Sequence, residues 1–125
     1  MDPEKRIRFA ELLELHISNI IKKRFVNEQL TPVLMRQIRE TIREQITTVF
    51  DRGNHKLEVK SITWLTDQYF KAVKLNSELM EELIILNEYK LTELPYHDIQ
   101  LLRNLFTNTR LSAALDEEYV RRSQS

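Results

Sequence analysis

Apolar residues recur along this chain at three- and four-residue intervals, and polar turn sequences interrupt the recurrence often enough to predict five or six helices and no strands. The first helix starts at Asp2-Pro3-Glu4, where a side-chain acceptor precedes a proline whose missing N–H costs nothing in the first turn. It runs to about Phe25 through Phe9, Leu13, Ile17, Ile20 and Ile21, and closes on Lys22, Lys23 and Arg24, cations suited to a carbonyl-rich end. Leu12 and Leu15 widen its apolar stripe, which implies contact with more than one neighbour. Thr31-Pro32 repeats the start signal, and Leu34, Ile38, Ile42, Ile46 and Phe50 follow at strict four-residue spacing on the second helix. Asp51-Arg52-Gly53-Asn54 ends it, with Gly53 free to take the left-handed conformation.

The third helix begins between Glu58 and Ser61 and ends near Leu75, and it carries large apolar groups on two sides. At about 100° per residue, Val59, Ile62, Tyr69 and Val73 gather on a core side, with Leu65, Phe70 and Ala72 nearer its edges. The opposite side sets Trp64 and Leu75 among Lys60, Gln68 and Lys71. An aromatic anchor with a rim of long polar side chains suits a protein partner. A central helix that buries both sides would produce the same pattern, with Trp64 in a second packing layer.

A fourth helix is expected from Asn76 or Ser77 through Leu79, Met80, Leu83, Ile84 and Leu86. Thr92-Glu93-Leu94-Pro95 breaks the pattern, because the residue before proline is biased away from helix. A fifth helix then carries Ile99, Leu102, Leu105 and Phe106, and a last one covers about Ser112–Arg122. The expectation is an all-α bundle in which residues 1–122 form a single domain and 123–125 a mobile tail.

Composition narrows the chemistry. One glycine excludes a glycine-rich phosphate loop, and the absence of cysteine removes disulfides, thiolate nucleophiles and cysteine-ligated metals. Neither Glu14 with His16 nor Glu93 with His97 reproduces a metal-ligand spacing. No catalytic, metal or cofactor residue is therefore assigned, and a non-enzymatic role is expected. No apolar run reaches a membrane span and no secretory signal is evident, so the chain reads as soluble and cytoplasmic.

Net charge is zero but unevenly spread: residues 1–60 hold 12 Lys/Arg against 9 Asp/Glu, and residues 61–125 hold 7 against 10. The basic positions that could contact phosphates are Lys22, Lys23 and Arg24 together with the stripe Arg36, Arg39 and Arg43. Glu40 and Glu44 lie beside that stripe and oppose such a role. Glu40 could instead pair with Arg36 and Arg43 along the helix.

The runs LTPVLMRQIRETIREQ (30–45) and ITWLTDQYFKAVKLN (62–76) resemble the small early proteins of T-even-type bacteriophages, most of all the RNA polymerase-binding proteins among them. The resemblance covers about the middle third of the chain. It implies a non-enzymatic protein that binds the host transcription machinery in the host cytoplasm, and it assigns no interaction residues. Two other functions stay open: a nucleic-acid-binding protein, which the resemblance would place in phage replication, transcription or packaging, and a structural helical oligomer built through the first helix.

Overall fold

The computed structural model describes residues 3–25, 31–72, 89–107, 109 and 111–124, with side chains of residues 3–9 and 72 excepted. Every regular element among them is helical: α1 (Pro3–Arg24), α2 (Pro32–Arg52), α3 (Val59–Ala72), a 3-10 turn (Leu91–Glu93), α4 (Tyr96–Leu105) and α5 (Ser112–Ser123). The helix expected from Asn76 or Ser77 lies outside the described residues, as do Val73 and Leu75. Packing joins α1 to α2 and α4, α2 to α3, and α4 to α5.

The second helix forms as its sequence dictates. Thr31 Oγ1 accepts the Leu34 N–H at 3.1 Å and Pro32 occupies the first turn. Leu34, Ile38, Ile42, Ile46 and Phe50 are all buried, each contributing about 1.5–3 kcal/mol relative to exposure. The turn that follows does not use the freedom of its glycine. Gly53 has φ −84°, and Asn54 takes the left-handed conformation at φ 56°, which asparagine tolerates through its short polar side chain. Glycine leaves room at 53: a Cβ there would stand 2.8 Å from the His55 ring, which would have to shift from its T-shaped contact with Phe50, 6.1 Å between centroids.

Helix α1 runs antiparallel to α2, since His16 Nε2 meets Gln45 Oε1 at 2.7 Å while Leu12 and Leu13 share a groove with Val49 and Arg52. Leu13, Ile17 and Ile21 are buried, but Leu12 and Leu15 stand 52% and 57% exposed. The wide stripe predicted for this helix is thus covered on one part only.

Helix α3 is enclosed. Ser61, Thr63, Trp64, Leu65, Thr66, Asp67, Tyr69 and Phe70 are all buried, more than one helix face can hold. Its start is capped from a distance: Asp98 Oδ2, in the first turn of α4, accepts the Glu58 N–H at 3.0 Å and the Ser61 hydroxyl at 2.6 Å. Val59, expected on the core side, is strongly exposed, because burial begins only at Ser61 beyond that cap.

The last two helices pack through Ile99, Leu102, Leu105, Phe106 and Leu115, all buried, and α5 carries a charged cluster near its end. Glu118 accepts from Arg121 at 2.6 and 3.1 Å and from Arg122 at 2.7 Å, and Arg122 Nη2 also reaches the carbonyls of Leu91 and Thr92 at 3.1 Å. The bonded Arg121 guanidinium, aided by Arg122, holds the Glu118 carboxyl down at about 2 although burial pulls it upward. Arg122 therefore fastens the 3-10 turn to α5.

Candidate interaction surface

Trp64, the expected anchor of a partner surface on α3, is not at the surface. Trp64 is only 5% exposed and belongs to the hydrophobic core; Lys60, Gln68 and Lys71 are half-buried, and Leu75 lies outside the described residues. The second-layer arrangement is the one observed. Three further polar residues of α3, Thr63, Thr66 and Asp67, are buried and find their partners inside the protein. Thr66 Oγ1 donates to Ile62 O at 2.7 Å, and Thr63 and Asp67 receive arginines from α2.

Those arginines are two of the three in the predicted phosphate stripe. Arg39 Nε donates to Asp67 Oδ1 at 2.7 Å, and Arg43 Nη2 donates to Thr63 Oγ1 at 2.7 Å. Arg43 also lies 4.0 Å from Glu40, the pairing its spacing predicted. Both guanidinium groups are thus directed at α3, leaving Arg36 exposed on the stripe and Lys22, Lys23 and Arg24 exposed at the end of α1. A continuous phosphate track needs cations turned outward together, and Arg39 and Arg43 turn inward.

A different surface is built where α4 meets α5. Tyr96, the first residue of α4, stacks on Tyr119 of α5 with centroids 5.9 Å apart and planes at 15°. The Arg103 guanidinium carbon lies 4.2 Å from the Tyr119 ring centre, and Arg103 Nε donates to Asp116 Oδ1 at 2.7 Å. Two aromatic rings, a cation and a carboxylate therefore hold one another in place at the surface. Stacking contributes about 0.5–1.5 kcal/mol and an exposed cation–π contact about 0.5–1 kcal/mol. Tyr96 remains 42% exposed, and Val120, beside Tyr119 in sequence, is exposed too.

Aromatic rings fixed before binding lose little conformational entropy when a partner covers them, and tyrosine and arginine are the residue types that concentrate energy at interfaces. Sequence reading missed this set. Tyr96 and Tyr119 belong to different helices, and no periodicity links them. The local signal available was a tyrosine immediately after Pro95, at a helix start where core residues are uncommon.

Among the described residues, no group of three or more histidines and carboxylates could hold a metal ion, and no helix is long and apolar enough to cross a membrane. Comparison with protein-family models, with curated proteins and with solved structures finds no match to this chain.

Proposed function

We propose that this protein is a non-enzymatic binding module that attaches to a large bacterial protein complex through the Tyr96–Tyr119–Arg103 surface, and that the complex is RNA polymerase, so that binding modulates transcription. The surface is carried by one observation, the exposed, mutually locked aromatic and cationic side chains on α4 and α5. The choice of polymerase rests on the resemblance of residues 30–45 and 62–76 to phage RNA polymerase-binding proteins. Such a protein works in the host cytoplasm. A nucleic-acid role draws less support, since Arg39 and Arg43 are committed to α3.

The test is titration of the labelled protein with purified bacterial RNA polymerase, repeated with Tyr96→Ala. Saturable binding that the substitution weakens by about 2 kcal/mol or more, at unchanged thermal stability, supports both parts of the proposal. Absence of binding removes polymerase as the partner. Binding that ignores Tyr96→Ala removes this surface.

A further inference from the structure

The exposed apolar residues of α1 form a ridge between two grooves of opposite electrostatic character. On one flank, a groove of about 350 Å³ is lined by Leu12, Leu13, Val49, His16 and Arg52. On the other, a groove of about 290 Å³ has Ala10, Tyr69 and Phe106 beneath Glu11 and Glu14. Between them stand Leu12 and Leu15, both more than half exposed. Glu11, Glu14 and Arg52 are exposed, and none of the three forms an ion pair among the described residues.

We infer that a second copy of this chain packs on this ridge. In a two-fold interface the same patch serves both partners, so whatever residue i touches, its counterpart touches i. A two-fold axis running roughly along α1 exchanges the flanks: the acidic side of each copy faces the basic side of the other. Glu11 and Glu14 then lie at the level of Arg52 of the other copy, because Arg52 lines the groove beside Leu12 and Leu13. Leu15 enters the groove of the other copy, and the two Leu12 side chains meet near the axis. Every ionic and apolar contact occurs twice.

The exposed Lys22–Arg24 ends set the inclination. Strictly parallel helices would bring these like charges together. A crossing of about 50°, the commonest class of helix packing, keeps the contact at Leu12 and Leu15 and carries the cationic ends apart. At about 1.5 Å per residue those ends lie some 14 Å from the crossing point, so the crossing parts them sideways by about 12 Å, more than the roughly 8 Å screening length at physiological salt.

Sedimentation velocity over rising protein concentration tests the inference, because association makes the observed mass concentration-dependent. The expected result is a reversible dimer that Leu15→Asp weakens at least about tenfold and Arg52→Glu weakens similarly, with Glu11→Arg and Glu14→Arg added to Arg52→Glu restoring it. Tyr96→Ala leaves the dimer intact, which separates this interface from the polymerase-binding surface. A chain that stays monomeric up to about 200 µM overturns the inference. So does a dimer indifferent to Leu15→Asp, or a charge exchange that restores nothing.

Discussion

Asp98 caps a helix that it does not belong to: its carboxylate lies 2.6 Å from the hydroxyl of Ser61, 37 residues away, and accepts the Glu58 N–H with the same oxygen. His97 Nδ1 lies 3.0 Å from the other oxygen. One buried side chain therefore joins the starts of α3 and α4. Asp98→Ala removes the cap and strands the fully buried Ser61 hydroxyl, so a loss of about 2–4 kcal/mol is expected in urea denaturation. Ser61→Ala, which keeps the cap to Glu58, should cost clearly less. Equal losses would show that the cap itself contributes little.

Trp64 provides a sharper contrast between packing and binding. Its burial predicts that Trp64→Ala costs about 3–5 kcal/mol of folding stability, with a blue-shifted, iodide-resistant fluorescence in the unsubstituted protein. Leu12→Ala, on the open side of α1, should fall within about 0.5 kcal/mol of wild type in dilute solution. A tryptophan readily quenched by iodide would contradict the enclosure of α3.

Acid sensitivity should centre on Glu118. Its folded value of about 2 lies below the ordinary 4.5, so it contributes stability that is fully present above about pH 4.5 and lost as pH falls toward 2. Melting temperature measured across that window should fall less steeply in Glu118→Gln than in wild type, from a lower starting point at pH 7. Parallel curves would mean that the bonds to Arg121 and Arg122 do not discriminate between folded and unfolded chains.

Gly53 permits a test of why a glycine is there. Since its φ of −84° suits any residue, Gly53→Ala should destabilise only by pushing the His55 ring off Phe50, a cost of about 1 kcal/mol. In a His55→Ala background the same substitution should become neutral or stabilise by about 0.4–1 kcal/mol through the unfolded chain. A penalty unchanged by the second substitution would place the constraint in the backbone.

What the sequence made legible was local. The buried positions of α2 follow from four-residue spacing alone, and the starts at Pro3, Pro32 and Tyr96 follow from proline placement. What it hid depends on residues brought together by folding. Arg39 and Arg43 look like outward cations until Asp67 and Thr63 arrive from another helix, and Trp64 looks like a surface anchor because Lys60, Gln68 and Lys71 share its side, although all three are half-buried and the indole itself is enclosed. The Tyr96–Tyr119 stack is illegible for the same reason: neither tyrosine carries a local mark of the other.

The two arginine contacts between α2 and α3 also act as a vernier. Arg39 with Asp67 and Arg43 with Thr63 are spaced one helical turn apart on both antiparallel helices, so sliding α3 by a turn exchanges the partner of one arginine and costs the other its own. Slipped one way, Arg43 meets Asp67 but Arg39 falls opposite Lys71; slipped the other, Arg39 meets Thr63 but Asp67 falls opposite the fully buried Met35. An all-leucine seam would accept either offset with small loss. Here each wrong offset keeps one arginine contact and spoils the other, by confronting like charges or by stranding a carboxylate in hydrocarbon, so the native register alone satisfies both at once.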